Sequence, residues 1–217
     1  MNARGMLTFA LLLFLVSACG EQATPGEDPH SPGDALPTTA VPATRAPGLS
    51  PEQEVFWERL QALCGKAFEG RIFLLPADDA WWDAERLVMH VRECTEDEIR
   101  IPLHIDEDRS RTWVVTRIES GLRLKHDHRL PDGTPDEANT QYGGDTALPG
   151  SIWRQEFPAD AYSINAVPAR ESQLWYLEIR PGDAFVYGLR REATGLRYHL
   201  EFDLTRPVDA PPPPWGA

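Results

Sequence analysis

From residue 71 onward, apolar residues recur at every second position, and this period sets narrow limits on the fold. Side chains alternate between the two faces of a β-strand, so a period of two predicts strands with one buried face and one wet face. The clearest run, 196–205, alternates leucine, tyrosine and phenylalanine with arginine, histidine and carboxylates. Similar runs cover 71–75, 86–94, 98–105, 111–119, 122–130, 152–157, 173–180 and 184–191.

Turn residues separate these runs, for example Ser120-Gly121 and Pro181-Gly182-Asp183, and no helical pattern lies between them. Short connections join neighbouring strands in antiparallel order, whereas parallel strands need long crossovers. About nine such strands predict a mainly β fold, an antiparallel up-and-down β-barrel, with a two-sheet sandwich as the alternative.

One helix is predicted ahead of the strands. Ser50 is a favourable N-cap, Pro51 suits the first helical position, and acidic residues follow in the first turn. Apolar residues then recur at helical spacing over about three to four turns, and Gly65 would end the helix. The apolar stripe consists of Val55, Phe56, Leu60, Leu63 and Phe68.

Residues 1–18 resemble the signal peptide of a bacterial lipoprotein. Arg4 gives a basic start, residues 6–16 are apolar, and Val16-Ser17-Ala18-Cys19 matches the lipobox. The resemblance implies cleavage before Cys19, lipidation of its thiol, and a mature protein anchored in the cell envelope on the periplasmic side. Gly20 stands where an aspartate would resemble an inner-membrane retention signal, so the outer membrane is expected.

A linker and a tail flank the globular part. Residues 19–50 are rich in proline, alanine and threonine, with few bulky apolar side chains, which is typical of a disordered tether. Residues 51–206 are expected to form the β-barrel domain with its opening helix. Residues 207–217 contain consecutive prolines that cannot continue a strand, and Trp215 is expected to pack back onto the body.

The charge limits the classes of partner that the protein can bind, and the cysteine content bears on the compartment in which it folds. The formal net charge of −13 argues against nucleic acid and anionic lipid surfaces as partners, because proteins bind them through clusters of Lys and Arg. With Cys19 lipidated, Cys64 and Cys94 remain, and an oxidising compartment favours a disulfide between them. This bond would stabilise the fold by about 3 kcal/mol. A redox pair is the alternative, but its Cys-X-X-Cys spacing is absent.

The run 122–130 carries the sharpest chemical signal. Its histidines fall on the apolar face, which comprises Leu122, Leu124, His126, His128 and Leu130. The His-X-His spacing lets one strand present two imidazoles to a single metal ion such as zinc. Candidates for further ligands, not connected to the pair by spacing, are His90, His104, His199 and Glu156. Otherwise the histidines hydrogen-bond within the core or face a barrel mouth, and no cofactor is required.

Aromatic and glycine-rich segments complete a ligand-binding hypothesis. In a barrel that holds a small molecule, tryptophans such as Trp113 would line the cavity. The segment 141–145 suggests either a close backbone approach or a mobile flap beside the histidine strand. The candidate ligand-binding residues are therefore His126, His128, Tyr142 and Trp113. Trp81-Trp82 is expected at an exposed loop tip or lid, and no nucleophile elbow supports an enzyme.

The globular part resembles a set of proteobacterial secreted or lipid-anchored proteins that carry no assigned activity. The shared run is Lys125-His126-Asp127-His128-Arg129, then Asp132-Gly133, then Tyr142-Gly143-Gly144-Asp145-Thr146. The resemblance covers roughly residues 63–207 and implies a lipocalin-like barrel. Three hypotheses for the function follow: binding of a small apolar or amphipathic ligand, metal-dependent catalysis by the histidine pair, or a structural role in which a filled barrel meets an envelope protein.

Overall fold

The computed structural model describes residues 48–77, 83–191 and 195–217, all within one compact unit, Arg45–Ala217. The signal peptide, most of the linker and Trp81-Trp82 lie outside the described residues, so the predictions made for them stay predictions. In chain order the elements are α1 (Pro51–Gln61), β1 (Ala67–Leu74), β2 (Leu87–His90), β3 (Glu93–Cys94), β4 (Glu98–Ile105), β5 (Asp108–Ile118), β6 (Gly121–His128), β7 (Tyr142–Asp145), β8 (Arg154–Pro158), α2 (Ala161–Ala166), a 3-10 helix (Pro168–Arg170), β9 (Gln173–Arg180), β10 (Ala184–Arg191) and β11 (Gly195–Val208).

The opening helix begins where its capping residues predict. The Ser50 hydroxyl accepts from the Gln53 backbone N–H at 3.3 Å, and the Gln53 side chain accepts from the Ser50 N–H at 3.0 Å. The helix ends at Gln61, earlier than expected, and the chain turns through Gly65 at φ +77°. The assignment of Phe68 to the helical stripe is therefore wrong, because this residue lies in β1.

The strands form an antiparallel up-and-down barrel, as predicted, and its order resembles that of lipocalin barrels. Around the sheet the order is β7, β6, β5, β4, β2, β1, β11, β10, β9 and β8, and β3 also pairs with β4. Most paired strands are sequence neighbours; β2 pairs with β4 past the two-residue strand β3, and β1 pairs with β11, which closes the meander back on itself. The described residues contain eleven strands rather than about nine, because β2 and β3 divide one predicted run and β7 was expected as a loop.

The seam between β7 and β8 is the one place where the barrel is not joined by a strand ladder in the described residues. The Gly143 carbonyl accepts from the Asp160 N–H at 2.9 Å across this seam. Ser163 of α2 also holds β7, since its hydroxyl accepts from the Gly143 N–H at 2.7 Å. A Cβ on Gly143 would lie 1.9 Å from the Leu124 carbonyl oxygen. This segment is therefore a strand of the barrel, and the predicted close backbone approach is confirmed.

Helix α1 closes one end of the barrel. Its Phe56, Trp57 and Leu60 side chains are at most 1% exposed and belong to the main hydrophobic cluster. Polar contacts at its surface fix it to the barrel rim, including two hydrogen bonds from the Arg117 guanidinium to the Glu54 carboxylate at 2.9 and 2.7 Å. Side chains therefore fill this end of the barrel, and any internal cavity must lie towards the opposite end.

The disulfide and the tail complete the domain. Cys64 and Cys94 are bonded, as predicted, with their Cα atoms 6.3 Å apart, and the bond joins the turn after α1 to β3. The tail lies against the start of β5, where the Trp215 N–H donates to the Arg109 carbonyl at 3.1 Å. Strand β11 continues to Val208, two residues past the expected end of the barrel domain. Within the described residues, no helix combines the length and the apolar character needed to cross a bilayer.

Candidate functional site

A cavity of about 320 Å³ lies at the end of the barrel opposite α1. Its walls come from the ends of β4, β6 and β10, the first halves of β5 and β9, the starts of β7 and β11, and the 3-10 helix. Asn139, which is exposed to solvent, also lines it, so the cavity reaches the molecular surface. The strand ends bring together residues that are far apart in the sequence.

Strand β6 points both histidines into this end of the barrel. Leu122 and Leu124 are fully buried near α1, and His126 and His128 follow on the same face at 3% and 6% exposure. Leu130 was expected on this face, but it is 44% exposed because β6 ends at His128. The alternation thus places apolar residues in the filled half of the barrel and imidazoles in the open half.

The contacts of His126 fix its protonation state and its tautomer. Its Nδ1 lies 3.1 Å from the Tyr142 carbonyl oxygen, which can only accept, so Nδ1 carries the proton. Its Nε2 therefore accepts from the Tyr187 hydroxyl at 2.9 Å. Burial is the main cause that lowers the pKa of His126 to about 3, so the ring is neutral at pH 7. The ring also stacks on Tyr142 at a centroid distance of 4.3 Å.

His128 is also a neutral ring in a defined orientation. The Asn139 amide nitrogen donates to its Nδ1 at 3.3 Å, so the proton lies on Nε2, which donates to the Tyr142 hydroxyl at 3.2 Å. Burial lowers the pKa of His128 to about 4. Because the Tyr142 oxygen accepts this hydrogen bond, its own O–H points elsewhere, and no described residue accepts from it. Tyr142 therefore presents a donor at the cavity wall.

Aromatic rings form the inner wall of the cavity. The Trp113 ring stacks on Tyr187 at 4.4 Å between centroids, and both line the cavity. Trp175 lies 5.5 Å from His126 and 5.8 Å from Tyr142 on the same wall. The inner wall of the cavity is therefore flat, rigid and largely apolar.

Three arginines, Arg111, Arg170 and Arg191, line the cavity, and no aspartate or glutamate is among its lining residues. The Arg170 guanidinium lies 4.3 Å above the Tyr142 ring, from the 3-10 helix. Arg191 donates at 2.8 Å to the Gln173 amide oxygen, in the amide orientation that satisfies both groups. Arg111 is paired with Asp108. The charged side chains that line the cavity are therefore all positive, in a chain whose formal net charge is −13.

The structure brings all four candidate ligand-binding residues together, because His126, His128, Tyr142 and Trp113 all line the cavity. Sequence reasoning missed the arginines. Arg191 could have been found, since it continues the alternation through the cavity-lining Tyr187 and Leu189 of β10. Arg170 gave no signal, because it lies in a short connection that follows α2.

The proposed additional metal ligands lie apart from the histidine pair. His90 and His104 are on strand faces opposite to the core, and Glu156 is paired with Arg154 outside the barrel. His199 belongs to a separate network, with its Nε2 2.6 Å from Glu201. Across the part of the chain that the structure describes, no group of three or more His, Cys, Asp or Glu could hold a metal ion.

No family model matches the chain, and neither the curated proteins nor the solved structures contain a significant match to it. The resemblance to lipid-anchored proteobacterial proteins, carried by the lipobox and by the run around His126 and His128, stays a prediction. The geometry of the cavity is therefore the basis for the functional argument.

Proposed function

We propose that this protein is a lipid-anchored cell-envelope protein whose β-barrel binds a small amphipathic ligand on the periplasmic side. The observation that carries the binding proposal is the cavity of about 320 Å³ at the barrel end opposite α1. Its volume lies at the lower end of the range of about 300–1,000 Å³ that is usual for small-molecule sites. Apolar rings with a few oriented polar groups are also typical of such sites.

The two halves of the barrel differ in packing, and this difference supports a binding site in the open half. Near α1, close-packed residues such as Leu60, Leu122 and Leu124 are fully buried and leave the core filled. In the other half, a hydrogen-bond network that includes Tyr142 and Tyr187 holds the histidine rings. Such a network costs conformational freedom, and its effect is to preorganise the walls of an open site.

A neutral fluorescent probe, N-phenyl-1-naphthylamine, tests the cavity directly. We expect residues 45–217 to bind it with an increase in probe fluorescence, since they contain every described strand and the main core. Leu189→Trp, which adds bulk to the cavity wall, should abolish this binding. Leu130→Trp adds the same bulk at an exposed turn and serves as the matched control. Equal binding by wild type and a folded Leu189→Trp variant would place the probe elsewhere and contradict the proposal.

The anchor is proposed from the lipobox at Cys19 and from the proline-rich linker, which would hold the barrel away from the bilayer. Expression of the full chain in a Gram-negative host with labelled palmitate should give a labelled protein in the outer-membrane fraction. Cys19→Ser should remove both the label and the membrane association. An unlabelled wild-type protein would contradict lipidation.

The other two hypotheses, a metal-dependent enzyme and an interaction lipoprotein, stay hypotheses. All four ring nitrogens of His126 and His128 have hydrogen-bond partners, so a metal ion would have to displace at least two of them. Elemental analysis of the purified protein tests the enzyme hypothesis. A stoichiometric metal that is lost in a His126→Ala, His128→Ala double variant would favour it.

A further inference from the structure

The arginines of the cavity indicate the charge of its ligand. In an acidic protein, guanidinium groups are expected to meet carboxylates, and Arg100, Arg123 and Arg180 do so on the outside of the barrel. Inside the cavity, the side chain of Arg170 contacts the Tyr142 ring, and that of Arg191 contacts an amide. Neither is paired with an acidic group in the described residues.

The neutral groups around the arginines add donors rather than a compensating negative charge. His126 and His128 are uncharged rings whose nitrogens are already engaged by tyrosine and asparagine groups. The Tyr142 hydroxyl accepts from His128 and so turns its proton towards another acceptor. The cavity therefore presents two guanidiniums and a hydroxyl proton together with its aromatic wall.

We infer that the ligand is a small organic anion, with its acidic group held by Arg170, Arg191 and the Tyr142 hydroxyl and its flat apolar body against Trp113 and Trp175. This inference rests on the proposed function, since it requires that the cavity bind a ligand at all. Arginine binds carboxylate, sulfonate and phosphate groups through paired N–H donors, and such charge-assisted hydrogen bonds are about twice as strong as neutral ones.

Two probes that share one skeleton separate the charge of the ligand from the existence of the cavity. N-phenyl-1-naphthylamine is neutral, and 8-anilinonaphthalene-1-sulfonate has the same rings with a sulfonate added. We expect residues 45–217 to bind the sulfonate more tightly than the neutral probe, with a preference that weakens as salt increases. Arg170→Gln and Arg191→Gln should each lower the ratio of the two affinities by roughly tenfold, the effect of one charged hydrogen bond.

Arg190→Gln is the matched control, because Arg190 is the chain neighbour of Arg191 but pairs with Glu156 outside the barrel. It makes the same charge change and should leave the affinity ratio at the wild-type value. If the neutral probe binds but the sulfonate binds no better in wild type than in folded Arg170→Gln and Arg191→Gln variants, the anion inference is overturned and the cavity proposal stands. If neither probe binds the folded wild type, the proposed function fails, and the anion inference fails with it.

Discussion

Buried histidines should make this fold sensitive to mild acid. Burial lowers the pKa of His126 to about 3 and the pKa values of His104 and His128 to about 4. In the unfolded chain these groups titrate near pH 6.5. Between about pH 6.5 and pH 4 the unfolded state therefore binds more protons than the folded state, and the free energy of unfolding falls as the pH falls. From pH 7 to pH 5 the free energy of unfolding should fall by roughly 2 kcal/mol for each histidine.

Together the three groups would remove roughly 6 kcal/mol, which is comparable with the whole stability of many domains. Urea unfolding of residues 45–217, followed by tryptophan fluorescence at pH 7, 6 and 5, measures this loss. The His126→Gln, His128→Gln double variant is expected to be less stable at pH 7 but to lose less stability between pH 7 and pH 5, because only His104 and His90, whose pKa is also lowered by burial, remain.

Thr140→Val is a control for this experiment, because the Thr140 hydroxyl accepts from the His128 N–H at 3.0 Å but does not titrate. It should lower stability equally at each pH and leave the pH dependence unchanged. A wild-type stability that stays constant from pH 7 to pH 5 would falsify the account, since it would mean that these rings bind protons in the folded state. An unchanged pH dependence in the double variant would assign the loss to other groups.

Three further predictions concern the elements that support the cavity. A Cys64→Ala, Cys94→Ala double variant should lose about 3–4 kcal/mol in chemical denaturation, because the bond closes a loop with a sequence separation of 30 residues. Gly143→Ala should lower the free energy of unfolding by more than roughly 2 kcal/mol in the same measurement, because the φ of Gly143 is +151° and a Cβ there would lie 1.9 Å from a carbonyl oxygen of β6. A near-neutral effect would contradict the close approach of β6 and β7. Tyr187→Phe should cost roughly 1–3 kcal/mol, because it leaves His126 Nε2 without a donor, and an unchanged stability would refute that hydrogen bond.

The parts of the fold that depend on local patterns were predictable. Ser50 and Pro51 mark the helix start because capping depends on adjacent residues. The runs 98–105, 173–180 and 184–191 match β4, β9 and β10 at both ends because turn residues bound them, such as Pro181-Gly182-Asp183 between β9 and β10.

Features that depend on distant contacts were not predictable. Phe68 continues the helical spacing of α1, but the chain turns before reaching it, so spacing alone assigned it wrongly. Strand β7 carries little apolar signal, because its glycines are required by the backbones of β6 and β8 rather than by a core. In the site, the alternation of strand side chains predicted His126 and His128. Arg170 could not be predicted in this way, because it lies in the connection between β8 and β9 and not in a strand.

The most direct test of the ligand-binding account is a crystal structure of residues 45–217 grown with N-phenyl-1-naphthylamine. The account predicts electron density for the probe inside the barrel, with its rings against Trp113 and Trp175 and beside the His126–Tyr142 pair. Density for the probe only on the outer surface, with side chains filling the space between Leu103 and Leu189, would contradict it.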